Sequence, residues 1–147
     1  MTTLAAAASF VHQSSNLLSW NAYDPSIKAD LTSNAILTQN SWWFIDPIQP
    51  PDDYHAALDG KPVLGILLTN ENHQRDARRL ARELGAKIYA HEAAVPHLPN
   101  PPNGTFKDKK TIKQGPKPYF IPGPSYGETS YFFKEQKILA IGDALIN

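Results

Sequence analysis

The run Val63-Leu64-Gly65-Ile66-Leu67-Leu68 constrains this chain more than any other segment. A strand apolar on both faces has to be covered on both sides, which is the habit of a central, parallel strand. A polar loop, Thr69–Asn72, follows it. The spacing then predicts a helix over His73–Leu84. Ala77, Leu80, Ala81 and Leu84 recur at i, i+3, i+4 and i+7, while Arg75, Arg78, Arg79 and Arg82 fall mostly on the other face. Asn70 or Asn72 is the candidate cap, Asp76 complements the helix dipole, and Gly85 ends the helix. Lys87-Ile88-Tyr89-Ala90 reads as the next strand. Residues 63–90 therefore form a strand–helix–strand unit, for which a right-handed crossover is expected.

The flanking segments supply a sheet around that unit. Asn16–Leu37 mixes aromatic, β-branched and polar residues, with a turn or bulge at Asp24-Pro25. Ala35–Leu37 and Trp42–Ile45 read as a hairpin turning at Gln39-Asn40. Asp46-Pro47 ends the second of these strands, and Pro47, Pro50 and Pro51 stiffen the connection. Asp52 is placed to cap a short helix, Asp53–Leu58, closed by Gly60. Met1–Phe10 reads as a frayed start or an edge element. Eight of the thirteen prolines lie between Pro96 and Pro124. Residues 96–118 are thus expected to form a long excursion or lid with one short strand near Thr111-Ile112. Strands resume at Tyr119–Ile121, Thr129–Phe133 and Ile138–Ile141, the last two joined by a turn at Lys134–Gln136. No internal repeat is present.

Composition narrows the classes. At 147 residues with 41% hydrophobic and 19% charged residues, the chain is expected to be one globular domain spanning 1–147. Fourteen basic residues balance fourteen acidic ones, so no net charge draws it to nucleic acid or to an anionic membrane. The one basic cluster, Lys107, Lys109, Lys110 and Lys113, reads as a solvated loop. Cysteine is absent, which excludes disulfides, zinc–thiolate sites and thiol nucleophiles and points toward a cytoplasmic protein. No apolar run approaches the ~20 residues of a membrane helix, and the first ten residues lack the basic start of a secretory signal.

Three segments carry candidate chemistry. Thr69–Asp76 leaves the end of a buried strand, the usual place for ligands in an open α/β sheet, and opens a helix whose N-terminus favours anions. Ile121-Pro122-Gly123-Pro124-Ser125-Tyr126-Gly127-Glu128-Thr129 is a glycine–proline turn into a strand. Ile141-Gly142-Asp143 puts an Asp at a strand end. His91, with Glu92, follows another strand. His12, His55 and Ser125 have no partner that the sequence brings near them, and Ser125 in particular lacks the base a nucleophile needs.

In order and spacing, these segments resemble the metallo-β-lactamase fold along residues 33–147. Phe44-Ile45-Asp46-Pro47 is similar to its N-terminal strand ending in Asp. Leu67-Leu68-Thr69-Asn70-Glu71-Asn72-His73-Gln74-Arg75 takes the place of its His-x-His-x-Asp-His motif. Ile121–Gly127 resembles a Pro-Gly-His-Thr-x-Gly segment, and Gly142-Asp143-Ala144-Leu145 resembles its Gly-Asp strand end. The resemblance implies an α/β (α+β) fold, an αββα sandwich incomplete at its C-terminal part.

It also implies a departure in chemistry. The two His of the first metal site correspond to Asn70 and Asn72, the Asp and His of the second to Gln74 and Arg75, and the later His to Pro124. Only the bridging Asp persists, as Asp143. Zinc prefers imidazole, thiolate or carboxylate donors, so the expectation is no cofactor and no usual zinc site.

Three readings follow. The first is a pocket for a small anionic ligand, lined by Asn70, Asn72, His73, Arg75, Asp76, Glu128 and Asp143. The second is a hydrolase with an atypical single metal held by His73, Asp76 and Asp143. The third is a structural module or homo-oligomer, in which Trp42-Trp43 and Tyr131–Phe133 present aromatics on both strand faces for another chain to cover.

Overall fold

The buried run becomes β5 (Val63–Leu67), a central strand between two parallel neighbours, β4 (Ser41–Ile45) and β6 (Lys87–His91). The computed structural model describes residues 4–123 and 125–145. The large sheet has seven strands in sequence order: β1 (Phe10–Gln13), β2 (Leu17–Asp24), β3 (Ala29–Thr38), β4, β5, β6 and β7 (Gly104–Phe106). Its first four strands pair antiparallel, and β4 to β7 pair in parallel. A second, antiparallel sheet has the order β10 (Ile138–Ala140), β9 (Thr129–Phe133), β8 (Lys117–Phe120).

Alternation along β4 shows how the layers stack. Trp42 and Phe44 point to the face covered by α1 (Tyr54–Ala57) and α2 (Ala77–Leu84), where they join Trp20, Ile66, Leu68, Leu80 and Ile88. Trp43 and Ile45 point the other way, into a second core with Ile36, Leu67, Tyr131 and Phe133 of the small sheet. A strand sandwiched between two layers has no polar face, which is why all five residues of β4 are buried. The two Trp side chains of β4 also satisfy their indole N–H groups. Trp42 Nε1 donates to Leu58 O at 3.0 Å, and Trp43 Nε1 donates to Gln114 O at 3.0 Å. Of the aromatics that raised the oligomer reading, Trp42, Trp43, Tyr131 and Phe133 are buried within their own chain, and Phe132 is half-buried.

Several boundaries differ from the sequence reading. The helix expected from His73 begins at Ala77. Its N-cap is Asp76, which makes no side-chain cap bond, so neither Asn70 nor Asn72 caps it. Arg75 is the reason: its φ of 43° is left-handed, and a helix cannot run through it. The C-terminal expectation holds, with Gly85 at φ 66°. The earlier helix is a single turn capped at Asp53 rather than Asp52, again without a side-chain bond. The edge strand β1 on β2 begins only at Phe10, the last residue of the Met1–Phe10 stretch, of which residues 1–3 lie outside the described residues.

The proline-rich excursion is better ordered than expected, and its strand lies elsewhere. A 3-10 helix covers Glu92–His97, and β7 adds to the sheet edge beside β6. Gly104 makes that pairing possible, since a Cβ there would lie 2.8 Å from the Tyr89 ring. Thr111-Ile112 is not a strand. Ile112 instead anchors a turn, accepting from Gly115 N at 2.8 Å and burying its side chain. Lys107, Lys109, Lys110 and Lys113 are exposed around it.

Candidate functional site

The parallel register of β4 and β5 places Ile45 opposite Leu67, so the residues that follow each strand emerge side by side. Asp46 and Thr69 therefore meet at the carboxyl edge of the sheet. Asp46 turns with φ 47°, a conformation that Asp tolerates better than most residues. Its carboxylate accepts from Thr69 N at 2.8 Å and from Thr69 Oγ1 at 2.5 Å. His73 Nδ1 lies 3.0 Å from the same carboxylate and 2.9 Å from Thr69 Oγ1. On the other side of the ring, His73 Nε2 lies 3.3 Å from Asp143 Oδ1.

Asn70 extends this network. Its amide nitrogen donates to Asp143 Oδ2 at 3.0 Å and to Glu128 Oε2 at 2.8 Å, and its oxygen accepts from Asn72 N at 2.9 Å. Glu128 is fully buried, and its second oxygen, Oε1, has no partner among the described residues. The loop after β5 is clamped to the loop before β9 by main-chain bonds, Thr129 N to Thr69 O at 2.8 Å and Glu71 N to Tyr126 O at 3.2 Å. Tyr131 Oη donates to Leu68 O at 2.5 Å beneath them.

Electrostatics follows from burial and pairing. Burial pulls the His73 pKa down, but the bond and charge of Asp46 and the charge of Asp143 outweigh it, so the net shift is up from 6.5. Burial pushes the Glu128 carboxyl up, aided by the charge of Asp143 and opposed by the Asn70 amide. Arg75 is drawn down by burial, against the charges of Asp46 and Asp143, yet a guanidinium stays charged.

Of the residues singled out in the sequence, Asn70, His73, Glu128 and Asp143 come together, joined by Asp46 and Thr69. The others lie apart. Asn72, Arg75 and Asp76 line a cleft of about 690 Å3, walled elsewhere by Ile27, Leu31 and Ile48. His73 touches both regions. Arg75 Nη1 donates to Thr32 O and Asp46 O, each at 2.8 Å. Asp76 turns away from His73 and Asp143 to pair with Arg79 Nη2 at 2.6 Å. Pro124 lies outside the described residues.

His91 is accounted for structurally: it is buried, its Nδ1 accepts from Ala93 N at 3.0 Å, and its ring stacks on Phe120. His12 and His55 are exposed. Asp46 and Thr69 join the cluster although neither is among the expected pocket residues; both stand only in the segments quoted for the resemblance, and Thr69 could have been found. Its position after an apolar strand running parallel to β4 was the available signal.

With this geometry in hand, solved structures identify the fold. The chain is similar to a metallo-β-lactamase from Pontibacter korlensis, with TM-score 0.68 and 15% identity over 88% of this chain and 68% of that one. It is similar to a β-lactamase domain protein from Burkholderia ambifaria, with TM-score 0.73 and 14% identity over 98% of this chain and 57% of that one. A metallo-β-lactamase family protein from Thermus thermophilus matches with TM-score 0.64 and 17% identity over 90% of this chain and 60% of that one. The fold is therefore the metallo-β-lactamase-like α/β sandwich, and the chain spans 57% to 68% of the length of these structures. No protein-family model and no curated protein matches the chain.

The fold raises the question of zinc, and the residues present do not fit it. Among the described residues, no three His, Cys, Asp or Glu side chains are grouped to hold a metal ion. Asn70 turns an amide nitrogen toward Glu128 and Asp143, and a neutral amide is a poor donor for zinc. Among the described residues, no helix is long and apolar enough to cross a membrane.

Proposed function

We propose that the chain is a binding module on a metallo-β-lactamase-like fold, taking a small acid with an apolar body into the cleft beside Arg75. The observation that carries this reading is the charge of Arg75. Among the described residues it has no carboxylate partner within ion-pair distance, and its only side-chain bonds run from Nη1 to two backbone carbonyls. Arg75 lines the cleft. The neighbouring Arg79 is already neutralised by Asp76 and Glu83. Leu31, Ile48 and the exposed Ile27 line the same cleft with aliphatic surface. A carboxylate or phosphate suits a guanidinium in a partly desolvated site.

The test is calorimetric titration with hexanoate, acetate and inorganic phosphate, on the wild type and on Arg75→Gln. Hexanoate is expected to bind more tightly than acetate, and Arg75→Gln to lose that binding while remaining folded. Equal, weak responses to all three acids in both proteins would remove the proposal.

A further inference from the structure

We infer that a second cleft, between the β3–β4 turn and the small sheet, is a binding site for a nucleoside monophosphate. It shares no residue with the cleft beside Arg75 and does not depend on what that cleft binds. Its volume of about 520 Å3 suits a small ligand. Its walls come from the β3–β4 turn, the loop before β8, β8 itself and the end of β9 with the turn that follows.

Charge is the first argument. The neutral total is an average over two unlike parts. Residues 107–137 hold seven of the fourteen basic residues and three of the fourteen acidic ones, a net +4 against −4 for the rest. Among the described residues, none of these seven lysines has a carboxylate within ion-pair distance. Lys107, Lys109, Lys110 and Lys113 share one loop, and the fold adds Lys117 and Lys134, which both line the cleft. The loop is pinned rather than free. Trp43 Nε1 donates to Gln114 O at 3.0 Å, and Lys109 N donates to Pro118 O at 2.8 Å. Gly115 sits so close to the Trp43 ring that a Cβ there would stand 2.8 Å from it. Thr111 and Gly115 of this fixed loop line the cleft, so its lysines are held beside Lys117 and Lys134. Ammonium groups gathered without a counter-charge repel one another. A phosphate monoester, close to doubly charged at neutral pH, relieves more of that repulsion than one carboxylate does.

The rest of the cleft selects the body of the ligand. Lys117 pairs with Phe132 and Tyr119 with Ser130, which puts Lys117, Tyr119 and Phe132 on the face of the small sheet opposite the buried Tyr131 and Phe133. Tyr119 and Phe132 are half-buried, and Lys117 Nζ stands 5.6 Å from the centre of the Tyr119 ring. Exposed ring faces beside an ammonium suit a flat base attached to a phosphate. Glu135 is the acid among the lining residues, and among the described residues it forms no ion pair. It would repel the phosphate, but a carboxylate accepts well from sugar hydroxyls. Lysines, rings and a single carboxylate thus match phosphate, base and ribose.

The experiment is calorimetric titration with adenosine monophosphate, its deoxyribose analogue, adenosine and inorganic phosphate, on the wild type, Lys117→Gln and Phe132→Leu. Amide NMR shifts at saturation locate the site. In the wild type, adenosine monophosphate should bind roughly tenfold more tightly than adenosine or phosphate, because it engages both halves of the cleft. The deoxyribose analogue should bind more weakly, and the largest shifts should fall at Gly115 and Lys134. Lys117→Gln should weaken the monophosphate more than adenosine, and Phe132→Leu should weaken both. Lys134→Gln serves if Lys117→Gln does not fold. Phosphate binding as tightly as the monophosphate, equal affinity for ribose and deoxyribose forms, unchanged binding in the lysine variant, or shifts centred on Arg75 would each overturn the inference.

Discussion

The Asp46 carboxylate and the His73 ring meet at 3.0 Å, although 27 positions separate them, because β4 and β5 end in register and Thr69 grips the same carboxylate. Five donors converge on Asp46 if the bonds from Arg75 and Ser33 to its backbone oxygen are counted with the three to its side chain. Breaking a buried ion pair by deleting one partner leaves the other charge stranded, typically at about 3–5 kcal/mol. Asp46→Ala should lose stability on that scale. Asp46→Asn should lose less, because Asn tolerates the left-handed backbone and still accepts from Thr69 N. Urea denaturation near neutral pH measures both, and an Asp46→Ala variant within roughly 1 kcal/mol of wild type would contradict the pairing.

Stability should fall as pH rises above neutrality. The His73 pKa is raised in the fold from 6.5. A raised folded value means the folded state holds the proton more tightly. The stabilisation is therefore complete below the unfolded value of 6.5 and is lost as pH climbs through the folded one. Glu128 acts with the same sign lower down, because its pKa is raised from 4.5 by burial. Melting temperatures taken upward from pH 6.5 should decline in the wild type and decline less in His73→Gln. Parallel slopes in the two proteins would show that His73 is not the group responsible.

Two glycines seat the acidic side of the cluster, for different reasons. Gly127 has φ 70°, and a Cβ there would stand 2.5 Å from Ala94 Cβ, so both conformation and space exclude a side chain. At Gly142 a Cβ would stand 2.6 Å from Glu128 Oε1 and 2.7 Å from Thr69 Cβ. Gly142→Ala should push on the buried Glu128 directly and cost about 1–3 kcal/mol, in the range of overpacked sites. Gly127→Ala should cost at least as much by adding strain at positive φ. Gly60→Ala is the control: its φ is 69°, but nothing lies within 4 Å of the added carbon. It should be the mildest of the three in thermal denaturation.

The sheet was legible in the sequence where side-chain pattern alone decides structure. The apolar run of β5, the Trp42–Ile45 strand and the Leu80 face of α2 each announce burial through periodicity. The loop boundaries were not legible, because they depend on tertiary bonds. Arg75 reads as an ordinary exposed helical residue, yet its side chain reaches back to Thr32 and Asp46 and its backbone turns left-handed, which delays the helix to Ala77. The site divided in the same way. Asn70, Glu128 and Asp143 sit at strand ends that the topology brings together, so position found them. Asp76 looked equally suitable, but a close basic neighbour one helical turn on, Arg79, captures it. Strand β7 escaped notice because Gly104-Thr105-Phe106 has no pattern of its own and exists by pairing with β6.

Arg75 carries two duties that a single variant would confuse, and separating them gives the last prediction. As a structural residue it ties Thr32 and Asp46 together with charge-assisted bonds, each typically worth about 1.5–3 kcal/mol. Both Arg75→Gln and Arg75→Lys should therefore melt below wild type without ligand. As a binding residue it should matter through its charge. A ligand at 100 times its dissociation constant adds about 2.7 kcal/mol to the stability of the state that binds it. The quantity to compare is thus the rise in melting temperature on adding hexanoate, measured within each protein. Wild type should show the full rise, Arg75→Lys a reduced one because a point charge remains, and Arg75→Gln none. An equal rise in all three would mean that the acid enters by its apolar chain alone, with Ile27, Leu31 and Ile48 sufficient to hold it.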